Sequence, residues 1–175
     1  MFGKALIAVV LMAAAAGCTQ SEAPKALGQG DRAPAFTART FDGRTVQFPE
    51  LTNGKPTVMI FWATWCSYCK AFMPRLKAIK AEYGDAINVL TINAKEDGSG
   101  SPAADIARLG IPMIAVRDGD EIAAAYDVEF IPGLMIAGAD GVIAWRRAWT
   151  DLPAGSEVAD LWASQVRGEL NALLR

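Results

Sequence analysis

Apolar and amphipathic stretches alternate along the first half of the chain, and this pattern predicts strands alternating with helices. Residues 56–62 form an apolar, β-branched run that is typical of a buried strand. Across 66–83, apolar side chains recur at spacings of three and four, which predicts a helix with one buried face and with Pro74 inside it. A second apolar run at 86–93 predicts the next strand.

The second half of the chain continues this pattern and ends in a longer helix. Ser101 is a suitable N-cap, and Pro102 fits the first turn of the short helix that it opens. The predicted elements are a helix at 101–108, a strand at 111–116, a helix at 118–126, a hairpin of 134–137 and 142–146, and a helix at 156–174. The predicted core face of the last helix is Val158, Leu161, Trp162, Val166, Leu170 and Leu173.

A β-hairpin is predicted ahead of these elements. The Asp42-Gly43 turn signal lies between two short alternating segments within 36–48, and a loop or single helical turn follows at 49–54. No repeat or second domain is visible, so residues 31–175 are predicted to be one domain. Its fold class is α/β, with a mixed central sheet, helices on both faces and an added N-terminal hairpin.

Composition narrows the classes of protein to which this chain can belong. With 52% hydrophobic residues, the chain can fill a core without help from disulfides. Its net charge of −2 comes with no basic stripe, so no nucleic-acid partner is expected. The chain has no histidine, which is the commonest metal ligand and the usual proton shuttle near neutral pH. No metal site is therefore predicted.

Candidate chemistry lies where the strand at 56–62 meets the following helix. Ser67 and Tyr68 separate Cys66 from Cys69, and this spacing brings both sulfurs to one helix end, close enough to bridge. The helix N-terminus favours a thiolate, the attacking species in disulfide exchange. A structural disulfide or half of a zinc site is the alternative, but a closed zinc site needs about four ligands. The pattern favours a redox-active pair that needs no bound cofactor.

The first seventeen residues have the three-part layout of a secretory signal peptide. Lys4 gives a positive start, 5–16 is an apolar run of twelve residues, and 15–17 are small residues that suit a cleavage site. Twelve apolar residues are too few for an ordinary membrane-spanning helix. Residues 1–17 are therefore predicted to be removed from a bacterial protein that faces the periplasm.

The end of this leader resembles a lipobox, in which Cys18 becomes the lipidated first residue of the mature protein. Ala15 stands where that motif prefers a larger aliphatic residue, so cleavage without lipidation and secretion to the periplasm stay an alternative. Pairing of Cys66 with Cys69 leaves Cys18 over, which favours its use as a membrane anchor. Cys18 could also be incidental and lost with the leader. Residues 18–30 are predicted to be a flexible tether.

Four features beyond residue 31 carry a family resemblance. They are residues 33–36 with the Asp-Gly turn at 42–46, the run 61–66 with Cys69, Pro74 five residues after that cysteine, and Ile131-Pro132 before the last hairpin. This set resembles the TlpA/ResA-like group of thioredoxin-fold thiol–disulfide oxidoreductases, which are extracytoplasmic and membrane-tethered. The resemblance implies a thioredoxin-like fold and a cis peptide bond before Pro132.

The resemblance also implies roles for the central residues. Cys66 is expected to be the attacking thiolate, with an exposed approach from the preceding loop, and Cys69 to resolve the mixed disulfide. Ile131 and Pro132 are expected to lie against the cysteines and to present backbone to an extended partner segment. An ordinary turn proline is the alternative for Pro132.

Four neighbouring side chains are expected to shape the site. Trp62 and Trp65 would wall it and offer partner peptides an apolar surface, although Trp62 could equally be core packing. Tyr68 could donate a hydrogen bond to a thiolate or be a plain exposed aromatic residue. Lys70 could favour the Cys66 thiolate, but solvent exposure is the favoured interpretation.

Several positions depart from the family pattern. Ser67-Tyr68 replaces the Gly-Pro of thioredoxin, and Ile60 stands where thioredoxin has a buried aspartate that assists proton transfer. Phe72 occupies a position that is glutamate in some relatives, and Gly133 follows the proline where threonine is more usual. The cysteine pair thus matches the family pattern, whereas the residues that assist proton transfer in the family are replaced in this chain.

A proton acceptor for Cys69 must therefore come from elsewhere. Glu96 and Asp97 follow the strand at 86–93, on the side of an α/β sheet where sites form. They are candidates, although ordinary solvated loop charge is the favoured interpretation for both.

Function is expected to be thiol–disulfide exchange with extracytoplasmic protein partners. The absence of a histidine between the cysteines and the presence of Ile131 before the proline favour a reductase, serving cytochrome c maturation or similar thiol maintenance. The expected partners are protein thiols and disulfides and an unidentified membrane or periplasmic electron donor, and the chain is expected to be a monomer. A copper(I) chaperone that uses the same cysteines is one alternative. A thiol peroxidase is another, but it needs threonine where Ala63 stands.

Overall fold

A mixed five-stranded sheet forms the centre of the fold, with a separate two-stranded hairpin near the N-terminus. The computed structural model describes residues 26–110 and 112–175. The predicted signal peptide, Cys18 and most of the predicted tether lie outside the described residues. The strands are β1 Phe36–Arg39, β2 Thr45–Phe48, β3 Thr57–Trp62, β4 Asn88–Asn93, β5 Ile114–Val116, β6 Gly133–Ala137 and β7 Ile143–Arg146. The helices are α1 Ser67–Tyr83, α2 Pro102–Leu109, α3 Asp120–Ala125 and α4 Ser156–Leu173.

The sheet order is β5-β4-β3-β6-β7, and its strands run in both directions. β3 pairs in parallel with β4 and antiparallel with β6, while β4–β5 is parallel and β6–β7 antiparallel. Every residue of the central strand β3 is buried, which explains why it appears in the sequence as an unbroken apolar run. The thioredoxin-like α/β fold predicted from the sequence is confirmed.

Alternate residues of β3 supply two cores, one on each face of the sheet. Val58, Ile60 and Trp62 join the core beneath α1 and α4, which also contains both cysteines of the C-x-x-C pair. Met59 and Phe61 join the opposite core, which α3 and the hairpin cover. The period of two along a strand thus places the candidate chemistry on the α1 face.

The N-terminal hairpin completes the second core and continues onto the edge of the sheet. The ring of Phe36 stacks on that of Phe48 at 5.5 Å, and it meets Tyr126 edge-on at 6.1 Å. Backbone hydrogen bonds from Phe41 to Ala115 and from Arg117 to Arg39 join the hairpin to edge strand β5. The predicted hairpin therefore protects both an apolar face and an open edge.

The packed domain begins earlier than predicted. The Leu27 amide donates to Asp127 Oδ2 at 2.7 Å, and Arg146 Nη1 donates to the Leu27 carbonyl at 2.9 Å. The Gly30 amide donates to the Ile143 carbonyl at 2.8 Å. Residues 27–30, which the sequence placed in the tether, are therefore held against the domain.

Two residues of the predicted α4 core face are exposed instead. Leu161 and Leu173 are each 39% exposed, so their assignment to the core was wrong. Ala159 and Ala163 are buried in their place, next to Trp162. Small side chains are used there because α4 packs against α1, and a large indole already fills the space between these elements.

Candidate active site

The two cysteines form a disulfide at the beginning of α1. Cys66 is the N-cap of the helix and Cys69 lies in its first turn, with their Cα atoms 5.2 Å apart. The Cys69 amide donates to Cys66 Sγ at 3.1 Å. A free N–H group at a helix N-terminus stabilises negative charge, so this geometry favours a thiolate on Cys66 once the bond is reduced.

Glu96 holds the loop that carries Cys66. Its Oε1 accepts from the Thr64 amide at 2.8 Å and from Asn93 Nδ2 at 2.5 Å, and its Oε2 accepts from Thr64 Oγ1 at 2.5 Å. The favoured interpretation of Glu96 as solvated loop charge was therefore wrong. Asp97 is an exposed loop residue, and hydrogen bonds from Ser99 lower its pKa.

The two tryptophans before the disulfide lie in different surroundings. Trp65 is 47% exposed and its Nε1 donates to the Lys95 carbonyl at 2.6 Å, so it forms an outer wall of the site. Trp62 is 3% exposed and belongs to the core. Its Nε1 is buried and has no hydrogen-bond partner within residues 26–110 and 112–175. This unpaired donor sets Trp62 apart from a simple packing residue.

The Ile131–Pro132 peptide bond is cis, as the family resemblance implied. Ile131 packs against the core cluster that contains both cysteines, and Pro132 is buried. At Gly133, a Cβ atom would lie 2.9 Å from Val128 Cγ1 and 3.2 Å from Phe61 Cβ. The departure from threonine at this position therefore has a steric reason, because the Val128 side chain and Phe61 of β3 leave too little space for a side chain.

Tyr68 is partly buried, so the interpretation of it as an exposed aromatic residue was wrong, and in this disulfide form its hydroxyl bonds to backbone rather than to a sulfur. Its hydroxyl donates to the Leu152 carbonyl at 2.9 Å, and its ring lies 6.0 Å from that of Trp162. Tyr68 thereby joins the C-x-x-C segment to the loop between β7 and α4. Ser67 and Lys70 are exposed on the same turn, as was favoured for the lysine.

Both sulfur-bearing residues are nearly inaccessible in this disulfide form. Cys66 is 3% exposed and Cys69 is 1% exposed, so the expected exposed approach to Cys66 is not present. Both belong to the α1 core, and the partly buried side chains of Tyr68 and Ile131 pack against it. A molecule that reacts with either sulfur of this form must therefore approach closely to the surrounding surface.

A groove of about 390 Å³ lies beside Cys69, between α1 and α2. Its lining includes Trp62, Cys69, Met73, Asp105, Arg108 and Leu109, and Lys70 stands at its side. Asp105 forms a 3.1 Å ion pair with Arg108 and is the carboxylate in this lining. Sequence reasoning missed it, because Asp105 looks like an ordinary polar residue of a short surface helix.

Arg147 was also missed, and it lies directly behind the cis-proline. It is 6% exposed, and its Nε and Nη2 donate to the Pro132 carbonyl at 3.1 and 2.6 Å. Its Nη1 donates to the Ala148 carbonyl at 3.1 Å. The guanidinium carbon lies 4.7 Å from the Phe130 ring centre and 4.5 Å from that of Trp162. Burial lowers the pKa of Arg147 to about 10.

Within residues 26–110 and 112–175, no three His, Cys, Asp or Glu side chains are grouped as metal ligands. In the same part of the chain, none of the helices has the length and apolar character needed to cross a bilayer.

A thioredoxin-like fold with a C-x-x-C disulfide at a helix N-terminus and a nearby cis-proline defines a class, the thioredoxin-like disulfide oxidoreductases. The sequence model of the AhpC/TSA family matches residues 29–146. This match covers more than half of the chain, and the chain belongs to that family.

The chain is similar to several named proteins over most of its length. Thioredoxin-like protein YneN of Bacillus subtilis is 30% identical over 129 residues, which are 71% of this chain and 74% of that protein. Soluble secreted antigen MPT53 of Mycobacterium tuberculosis is 31% identical over 136 residues, 77% of this chain and 73% of that protein. A putative thiol:disulfide interchange protein DsbE from Chlorobium tepidum matches with a TM-score of 0.68 at 20% identity, over 83% of this chain and 99% of that chain. The last likeness is one of fold.

Proposed function

We propose that this chain is a TlpA/ResA-like reductase of protein disulfides outside the cytoplasm. One observation carries the proposal: the Cys69 amide is directed at Cys66 Sγ in the first turn of α1. After reduction, this N–H group and the helix N-terminus stabilise a thiolate on Cys66, the nucleophile that disulfide exchange requires.

The exchange proceeds in two steps that balance. In the dithiol form, the Cys66 thiolate attacks one sulfur of a partner's disulfide, so a mixed disulfide forms and the partner's other sulfur leaves as a thiolate. Cys69 then gives up its proton and attacks Cys66 Sγ, which forms the Cys66–Cys69 bond and releases the second partner sulfur. Two electrons pass to the partner, and a separate donor of the thiol class must reduce the enzyme again.

The direction of exchange is supported by the residues around the disulfide. Ser67 and Tyr68 place no charged group between the cysteines, and Ile131 precedes the cis-proline as it does in reducing thioredoxins. A histidine between the cysteines would stabilise the dithiol and favour an oxidant, and this chain has none. Reduced protein thiols, including those needed for cytochrome c maturation, are the proposed products, and the enzyme acts as a monomer.

Location outside the cytoplasm is supported by the leader and by one relative. Residues 1–17 have the layout of a signal peptide. MPT53, the relative from Mycobacterium tuberculosis, is a soluble secreted antigen. We propose that Cys18 is lipidated and anchors the domain to a membrane surface facing the periplasm. Labelling of cells with a tagged palmitate should mark the wild-type protein and not Cys18→Ser, and equal labelling of both would contradict the anchor.

Equilibration of the purified chain with glutathione tests the proposed direction. A reductase should have a potential nearer to that of thioredoxin, about −270 mV, than to that of the oxidant DsbA, about −120 mV. Insulin reduction by dithiothreitol should be accelerated by the wild-type chain and not by Cys66→Ala. A potential near the DsbA value would assign the chain to oxidation instead.

The same purified protein separates the two alternative functions. Tight binding of copper(I) to the dithiol, without acceleration of insulin reduction, would favour a chaperone. Consumption of hydroperoxide that depends on Cys66 would favour a peroxidase. The Thr64 hydroxyl already donates to Glu96, one position away from where a peroxidase needs its threonine.

A further inference from the structure

Within residues 26–110 and 112–175, Arg147 is a buried cation that has no carboxylate partner. The ion pairs present in residues 26–110 and 112–175 do not include it. A charge taken out of water without a counter-ion lowers stability, and the downward shift of its pKa to about 10 reflects that cost. Packing of the core therefore does not explain the choice of arginine at this position.

The hydrogen bonds of Arg147 converge on one backbone atom. Two of its nitrogens donate to the carbonyl oxygen of Pro132, at 3.1 and 2.6 Å. The rings of Phe130 and Trp162 lie close enough to the guanidinium for cation–π contact. This group has a rigid, planar set of donors, so it fixes the orientation of the carbonyl as well as its position.

The carbonyl that Arg147 holds lies at the point where the partner is expected to bind. Pro132 follows Ile131, which packs against the cluster containing the cysteines, and precedes β6. A small cleft of about 60 Å³ is lined by Tyr68, Ile131, Pro132, Arg147, Trp149 and Trp162. The cleft thus brings together the segment between the cysteines, the cis-proline and the exposed Trp149 side chain.

We propose that Arg147 is a positioning residue that orients the Ile131–Pro132 backbone so that it can pair with an extended polypeptide partner. The proposal rests on the proposed function insofar as that function makes the partner a polypeptide. Arg147 acts through the Pro132 carbonyl, to which it donates, rather than by a reaction with either sulfur. Its loss should therefore weaken exchange with peptides much more than exchange with small thiols, which need no backbone pairing.

Arg147→Gln and Arg147→Lys test this role, with Arg146→Lys as a matched control. Arg146 also donates to backbone carbonyls, those of Leu27, Tyr126 and Asp127, and none of the hydrogen bonds found for it in residues 26–110 and 112–175 goes to Pro132. The oxidised full chain would be mixed with a cysteine-containing decapeptide or with 2-mercaptoethanol. The rate at which each thiol opens the Cys66–Cys69 bond would then be followed by tryptophan fluorescence.

We expect Arg147→Gln to lower the ratio of the peptide rate to the small-thiol rate about tenfold, comparable to the loss of one charge-assisted hydrogen bond. Arg147→Lys, which keeps a cationic donor, should recover part of that ratio, and Arg146→Lys should leave it unchanged. Equal losses for both thiols, or an unchanged ratio in both Arg147 variants, would overturn the proposal. If Arg147→Gln does not fold, Arg147→Lys is the test. A ratio below that of wild type then supports the proposal, and an unchanged ratio overturns it.

Failure of this proposal differs from failure of the proposed function. A wild-type chain that does not reduce insulin, or that has an oxidant's potential, contradicts the reductase. The ratio of the two opening rates is measured on the disulfide form and does not depend on the direction of physiological electron flow. A wild-type chain that shows no preference for the peptide over 2-mercaptoethanol contradicts the positioning role alone.

Discussion

The two sides of the Cys66–Cys69 disulfide are built differently. On the proline side, Tyr68 and Arg147 use their polar groups on backbone carbonyls, so this side is tied together by hydrogen bonds. In the groove beside Cys69, the buried Nε1 of Trp62 has no partner in the described part of the chain, and Asp105 lines the same space. Under the proposed function, we expect the first side to bind a polypeptide partner and the second to receive the proton of Cys69.

The difference follows from which elements meet on each side. The proline side joins α1, the segment before β6 and the loop before α4, which are far apart in the sequence and are connected by the hydrogen bonds of Tyr68 and Arg147. The groove lies between α1 and the short helix α2, where Lys77 Nζ donates to the Leu109 carbonyl at 2.9 Å. Because α1 and α2 are connected at few points, a partly open space remains next to Cys69, the resolving cysteine.

Replacing either cysteine should have the largest effect, because the two sulfurs have different tasks. Cys66→Ala removes the attacking sulfur and should abolish both insulin reduction and capture of partners. Cys69→Ala keeps the attacking sulfur but cannot resolve the mixed disulfide, so partners should remain covalently bound to Cys66. The measurement is recovery of partner proteins from cells under non-reducing conditions. Recovery of the same partners with both variants would contradict the division of roles.

Loss of the Glu96 carboxylate should have the next largest effect, on stability as well as on activity. Glu96→Ala removes the acceptor of the Thr64 amide and hydroxyl, and it leaves Asn93 Nδ2 with its 3.3 Å bond to the Trp62 carbonyl. We expect the free energy of unfolding to fall by about 2 kcal/mol, because buried donors lose charge-assisted hydrogen bonds. Urea denaturation of the oxidised chain measures this change.

Asp97→Asn is the control for the Glu96 variant. Asp97 is the next residue, is exposed, and bonds only locally to Ser99 in the hydrogen bonds found for it. Its replacement should change the free energy of unfolding by less than about 0.5 kcal/mol. If both variants lower the free energy of unfolding equally, the cause is the loss of a negative charge in this loop. The proposed role of the Glu96 hydrogen bonds would then be contradicted.

The sequence was sufficient to predict the fold because the strongest patterns came from complete burial. β3 is buried at all six positions and α1 repeats apolar residues on one face, so both were recognisable without tertiary information. Errors came where burial was partial. Leu161 and Leu173 fit the helical period, but each lies at the edge of the buried face of α4 and is 39% exposed.

The supporting residues of the site could not be predicted, because their contacts join distant segments. Glu96 contacts Thr64 across 32 positions, and Arg147 contacts Pro132 across 15 positions, in both cases with bonds to or from the backbone. A hydrogen bond to a backbone group does not restrict the residue type that carries this group, so the other segment shows no sequence pattern. The cysteines were predictable because their chemistry depends on local spacing, and the cis-proline because it carries a family resemblance.

Asp105→Asn should slow the resolving step by several-fold without affecting the first attack. Asp105 is the carboxylate that lines the groove beside Cys69. Lys70 and Arg108 are the other charged groups in this lining. An amide cannot accept the proton that Cys69 must lose, so release of the partner from the mixed disulfide should slow by about threefold to tenfold near neutral pH. Stopped-flow measurement of a single turnover resolves this step.

The pH dependence provides the check on Asp105. As the pH rises, solvent hydroxide removes the Cys69 proton, so the difference between Asp105→Asn and wild type should shrink. Asp85→Asn is a control, because the Asp85 side chain is fully exposed and lies at the other end of α1. If the difference in resolving rate between Asp105→Asn and wild type stays constant with pH, the effect comes from the shape of the groove and not from proton transfer.

The smallest effect is expected at Trp149, on the outer edge of the proline side. Trp149 is 70% exposed and its ring meets that of Phe130 edge-on at 5.2 Å, and the Arg147 guanidinium lies over the same Phe130 ring. Trp149→Ala should leave the free energy of unfolding within about 0.5 kcal/mol of wild type, because little of the side chain is buried. Under the proposed function, it should slow exchange with a peptide by about threefold, through lost apolar contact with the partner. Leu173→Ala, which removes an exposed side chain at the end of α4, should leave that rate unchanged, and an equal loss in both variants would remove Trp149 from the recognition surface.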